Sequence, residues 1–222
     1  MRAGLFLVCA GALLAAASPA HAGTVAGEAA LTPADLAIRT MKPNPYVGQL
    51  MASAPRTLQS AATADTGFGV AWIADVPAGA GGAARSSRMD QLEQHFIPRI
   101  LVVPAGQSVE FVNSDNVFHN IFSYSPPKKF DLGRYPKGHS RSVTFVKPGE
   151  VQVYCDIHSD MRADIIVVPN ALWSLVGRSG RYRIDRVPAG AHTLKVWLPS
   201  TGERSYRIDV PAEGMVAAPP AP

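Results

Sequence analysis

Hydrophobic and polar positions along this chain alternate in short bursts, and helical spacing is nearly absent. The bursts are β-branched or aromatic, and proline or glycine stops each one. They include "GVAWIADVPAG", "RILVVPAG", "QSVEFVNSD", "HNIFSYSPP", "RSVTFVKPGE", "VQVYC", "ADIIVVPN", "RYRIDRVPAG", "HTLKVWLP" and "SYRIDVPAEG". A period of two over such lengths, with turn residues between, predicts strands. Regularly spaced short strands argue for antiparallel β-sandwiches. The V-P-A tails at Val76, Val103, Val187 and Val210 read as strand-end punctuation, since proline cannot donate to a ladder and turn residues follow it.

The same pattern divides the chain. Residues 23–88 open with a strand-like "TVAGEAAL", pass through an Ala/Pro/Thr-rich stretch over 32–65 with a short helix at "PADLAIRTM", and recover a strand at Gly67–Val76. The Gly/Ala/Ser-rich "PAGAGGAARSS" reads as a linker. Residues 89–169 are densest in strands, 170–213 hold three more, and 214–222, "GMVAAPPAP", read as a disordered tail by composition.

At the N-terminus, Arg2, the apolar run Leu5–Ala17 and the small-x-small triplet Ala20-His21-Ala22 form a secretory signal. Residues 1–22 are therefore expected to be removed on export, and the location expected is the periplasm. No later stretch approaches the roughly 18 apolar residues of a membrane span. The formal charge of +4 falls by one with Arg2. With Lys and Arg scattered, nothing points to nucleic acid.

Removing the signal also removes Cys9, leaving Cys155 alone in an oxidising compartment. It forms no internal disulfide, so it is buried, metal-bound or catalytic. Cys155 lies in "YCDIHSDM", with His158 three residues on and Met161 three beyond that. Thiolate, imidazole and thioether together favour a soft or borderline metal, with copper the leading choice. A blue-copper site takes two histidines and one cysteine in a near-trigonal plane, with a weak axial methionine. The second histidine must come from elsewhere, and His119, in the loop "NSDNVFHNIFSY", is the best placed. Zinc, a red-copper variant, or an inert buried thiol beside a satisfied histidine are the other readings.

"FIPRILVVPAGQSVEFVNSDNVFHN" followed by "SVTFVKPGEVQVYCDIHSDM" resembles the cupredoxins, the plastocyanin and amicyanin group in particular, over about residues 89–169. The Cys-x-x-His-x-x-Met spacing is the amicyanin one. The resemblance implies one type 1 copper ion held by His119, Cys155 and His158, with Met161 axial, and Asn120 locking the two loops by hydrogen bonds. Asp156 and Asp160 stand where the family more often carries neutral residues, and carboxylates there should lower the reduction potential. Further on, "SLVGRSGRYRIDRVPAGAHTLKVWLP" is similar to the carboxypeptidase-regulatory-like, or transthyretin-like, β-sandwiches. The whole arrangement looks like exported proteins labelled "methylamine utilization" proteins. The expected fold is thus all-β: a Greek-key cupredoxin sandwich with a second, smaller β-sandwich built from the N- and C-terminal segments.

The function these features imply is one-electron transfer between redox partners, with the edge of His158 as the port. Lys128, Lys129, Arg134, Lys137 and Arg141 lie between the ligand loops and offer steering for an acidic partner, the plainer reading being a solvated charged face. Copper sequestration or delivery, and a non-redox binding module, are the alternatives. An enzyme is not expected, because Cys155 has no evident oxyanion hole or Gly-rich elbow near it. His95 and His139 read as surface residues, Met89 as core, and His192 has no assigned role. The sequence does not fix the oligomeric state.

Overall fold

The structure is a computed structural model that describes residues 22–37, 67–80 and 87–219. Residues 1–21 of the expected signal and most of the 32–65 stretch lie outside the described residues. Of that stretch, α1 (Pro33–Ala37) is described. Thr32 and Asp35 cap it reciprocally, and Asp35 also accepts the Ser200 amide at 2.9 Å, which fastens the helix to the sheet below.

The all-β expectation holds. In chain order the strands are β1 (Ala22–Glu28), β2 (Gly69–Ile73), β3 (Ser87–Leu92), β4 (His95–Ile97), β5 (Ile100–Pro104), β6 (Gln107–Asn113), β7 (Phe122–Ser123), β8 (Phe130–Asp131), β9 (Ser140–Phe145), β10 (Gly149–Tyr154), β11 (Arg162–Val168), β12 (Trp173–Val176), β13 (Arg181–Pro188), β14 (Gly190–Leu198), β15 (Gly202–Val210) and β16 (Met215–Ala217). They form four sheets, β4-β3-β6-β9, β5-β11-β10-β7-β8, β12-β2-β14-β15 and β13-β1-β16. Three apolar layers lie between and within them.

Strand periodicity explains the stacking. In β11, Ala163, Ile165 and Val167 point into one layer, and Ile166 and Val168 into the next. β5 divides its side chains the same way, Val103 to one side and Ile100 and Val102 to the other. A strand covered on both faces reads as a continuous apolar run, which is why "ADIIVVP" shows no alternation. β2 is the matching strand of the second sandwich, with Ala71 and Ile73 in its own core and Val70 and Trp72 against β5 and β11. Trp197 completes this layer and donates its indole N–H to Glu150 at 3.1 Å. Each fully buried side chain of this kind contributes about 1.5–3 kcal/mol.

The N- and C-terminal segments pair directly. β1 runs antiparallel to β13, and β2 lies between β12 and β14. Three departures from the sequence reading stand out. Parallel neighbours occur where only antiparallel ones were expected, at β5–β11, β3–β6 and β1–β16. β3 begins at the last residue of the expected linker and was not read as a strand, because its Asp90 and Gln91 are buried and give it a polar pattern. The tail was expected to be disordered, yet Met215–Ala217 forms β16 along β1, and the Ala218 amide reaches the Ala26 carbonyl at 2.7 Å. An open strand edge recruits backbone regardless of composition.

Candidate metal centre

The two segments that carry the expected ligands meet at one end of the β3–β11 sandwich. Along β10, Val151 and Val153 point inward, and the same parity carries Cys155 into the core just past the strand end. The β10–β11 hairpin then closes on itself. The Cys155 amide donates to the Met161 carbonyl at 3.2 Å, and the Met161 amide to the His158 carbonyl at 3.1 Å. Cys155 and Met161 are thereby buried at the base of the loop, with His158 half-exposed above them.

His119 arrives from the β6–β7 connection and is fully buried. A two-way backbone bridge to Tyr135 fixes its main chain, with amide-to-carbonyl distances of 2.9 and 3.3 Å. Cys155 Sγ lies 3.9 Å from His119 Nδ1 and 3.8 Å from His158 Nδ1. The donor atoms of the three residues all lie within 4.8 Å of one another. Ligands at the corners of a near-trigonal plane with bonds of about 2.1–2.3 Å are separated by about this much, so the donor set fits a single ion. Among the described residues this is the one such cluster.

Electrostatics favour the ligating thiolate of Cys155 but the protonated ring of His119. Burial alone would raise the Cys155 thiol, but the His119 imidazole and the backbone amides of Asn120, Ile157 and His158 outweigh it and bring it down to about 6. Burial alone would lower His119, but its hydrogen bond to Asp115 and its contact with Cys155 outweigh this and raise it to about 9. Both shifts run toward a thiolate beside an imidazolium, so a metal that takes both ligands displaces the proton from the His119 ring.

Asp115 is the residue that sequence reasoning passed over, although it lies in the same loop as His119. Its Oδ2 lies 2.7 Å from His119 Nε2, and its two oxygens also accept the amides of Glu93 at 2.6 Å and Gln94 at 2.7 Å. Burial would raise the carboxyl, but these partners outweigh it and hold it below the ordinary carboxylate range. The usable signal was the Asp-x-x-x-His spacing.

Of the other expectations, those for His139 and Met89 hold, while Asn120 and Asp156 come out differently. Asn120 does not lock the loops through its side chain, which donates to Asp131 at 2.8 Å, while its backbone amide faces the Cys155 thiol. Asp156 is paired with Arg134 at 3.0 Å, so its charge near the site is offset. Arg134 is accordingly engaged, and Arg141 lies over the Tyr135 ring at 5.3 Å. His139 is exposed, His192 pairs with Asp75 at 3.0 Å, and Met89 is core. His95 contacts the Glu93 carbonyl. No helix among the described residues is long and apolar enough to cross a membrane.

No family model matches the chain, and no curated protein does. Among solved structures, a Cu-containing nitrite reductase from Thermus scotoductus SA-01 matches at 29% identity and TM-score 0.36, covering 41% of this chain and 24% of that one. This chain therefore spans about a quarter of the reductase's length. A purple cupredoxin from Nitrosopumilus maritimus matches at 22% identity and TM-score 0.34, over 37% of this chain and 99% of that one. A reduced tryptophan-to-tyrosine variant of amicyanin matches at 24% identity and TM-score 0.36, over 44% of this chain and 97% of that one.

Proposed function

We propose that this protein is a periplasmic one-electron carrier built on a single type 1 copper site, with His119, Cys155 and His158 as ligands and Met161 as the axial one. The observation that carries this reading is the convergence of His119 Nδ1, Cys155 Sγ and His158 Nδ1 around one point at the end of the sandwich core, with Met161 buried beneath. When bound, copper supplies a one-electron couple whose tuning depends on the cysteine sulfur's surroundings.

The chain's own residues supply the rest. The depressed Cys155 thiol offers a thiolate at neutral pH. The backbone bonds joining Cys155, His158 and Met161 hold the loop in one arrangement, so ligand positions need not change much between oxidation states. His119 is sealed from water, and His158 is the ligand a partner can approach. Val117, Phe118 and Ile157, close in sequence to these two histidines, are exposed apolar side chains that exclude water when a partner docks. Lys128, Lys129 and Lys137 remain to steer an acidic partner, with Lys137 held near the site by Asn116 at 2.7 Å.

The test is the spectrum of the purified protein titrated with Cu(II). One ion per chain and an intense blue sulfur-to-copper charge-transfer band are expected, together with a reversible one-electron couple. Cys155→Ser should abolish the band. A wild-type protein that stays colourless with Cu(II) overturns the reading.

A further inference from the structure

The two candidate histidine ligands are held differently. Among the described residues, the His158 imidazole makes no hydrogen bond outside its contact with Cys155, whereas His119 Nε2 faces the Asp115 carboxylate at 2.7 Å. We propose that Asp115 is a positioning residue of the metal centre, holding His119 in the tautomer whose Nδ1 lone pair faces Cys155 and biasing a bound copper ion toward Cu(II). This inference rests on the copper reading above.

The chemistry follows from the hydrogen bond. A carboxylate on Nε2 requires the proton there, which leaves Nδ1, on the Cys155 side, free to ligate. Sharing that proton makes the ring a stronger donor, and the higher oxidation state gains more from a stronger donor. The charge is felt at the site because it is shielded from solvent: His119 is 0% exposed and the Asp115 side chain 11%. It also has no cationic partner among the described residues besides His119, unlike Asp156, which Arg134 offsets. The carboxylate is itself fixed by the amides of Glu93 and Gln94, at the β3–β4 turn, where both residues have positive φ (53° and 60°). Asn113 Oδ1 holds the Asp115 amide at 2.9 Å. The electrostatic weight that the sequence placed on Asp156 and Asp160 thus moves to a buried residue on the other loop.

The experiment compares wild-type protein, Asp115→Asn, and the double variant Glu93→Asn/Gln94→Gly, which keeps both turn amides in a sequence suited to positive φ. In Asp115→Asn the blue band should persist, while the preference for Cu(II) over Cu(I) falls about tenfold, a rise in potential of about 59 mV. The double variant should leave the potential unchanged, separating the carboxylate from the turn it caps. In the diamagnetic Cu(I) form with 15N-labelled histidine, wild-type His119 should show a retained, strongly downfield Nε2–H. This measurement decides the matter if Asp115→Asn does not fold. An unchanged potential in Asp115→Asn, or a wild-type His119 protonated at Nδ1, overturns the inference while the blue band stands. A wild-type protein without the band overturns both readings.

Discussion

The two sandwiches use buried polar side chains for different ends. In the smaller one, Asp35 and Asn170 are buried, and each clamps a turn. Asn170 donates to the Ile73 and Val76 carbonyls at 2.9 and 2.8 Å and accepts the Leu172 amide at 2.9 Å. In the larger one, Gln91, Asn113, Asp115, His119 and Asn120 are buried near one end. Some of these bonds fix backbone, as when Asn113 donates to the Val117 and Tyr135 carbonyls, both at 2.9 Å. Others run from Asp115 through His119 to the Cys155 thiol. Burying polar groups is costly unless they are satisfied. Where the partners are turn amides and carbonyls, the burial is explained by folding alone. Where a chain of them ends on a cysteine and a second histidine, folding alone does not account for it.

If the sandwiches divide labour this way, damage to the smaller one should leave the metal centre untouched. The largest effect is expected from Trp197→Ala, which empties the layer between the sandwiches and removes the bond to Glu150. A loss of about 3–5 kcal/mol in urea unfolding is expected, with the copper band in the folded variant unchanged. A shifted band would mean that the smaller sandwich shapes the site and would break the comparison. Asn170→Ala strands buried backbone groups at the end of β2 and should cost about 2–3 kcal/mol in the same assay, again with an unaltered spectrum.

The smallest effect is one of pH, and it sharpens the other side of the comparison. In the metal-free protein His119 rises from an ordinary 6.5 to about 9. Its contribution is full below pH 6.5 and is lost as pH climbs through 9. Cys155 falls from 9.0 to about 6, so its contribution is full above pH 9 and is lost as pH drops through 6. The slopes oppose each other, so the unfolding midpoint should stay nearly flat from pH 6.5 to 9. Cys155→Ser removes one limb, and its stability should fall with rising pH over that range. A wild-type midpoint that moves strongly there would show that the two groups do not exchange a proton as this geometry implies.

The strands were legible wherever one face is buried and the other wet, as in "QSVEFVN", or wherever both faces are covered, as in "ADIIVV". They were not legible at Ser87–Leu92, where Asp90 is satisfied by Ser114 and Arg88, and the buried Gln91 donates through Nε2 to the Val112 carbonyl and the Tyr135 hydroxyl. A buried polar residue with tertiary partners looks like a surface residue in a one-dimensional pattern. The short spacing of Cys155, His158 and Met161 likewise read as a site because all three lie on one hairpin loop. The role of Asp115 did not, because Asp in "NSDN" is also an ordinary turn residue.

By itself the sequence determined the all-β class, most of the strand pattern and the candidate ligands, since each depends on periodicity or on residue chemistry within a short stretch. Only the tertiary structure decided that four sheets stack with three apolar layers, that the tail pairs with the first strand, and that Arg134 offsets Asp156. It also decided which carboxylate lies against a candidate ligand. Charge acts through distance and burial, and the chain sets neither until its loops have closed on one another.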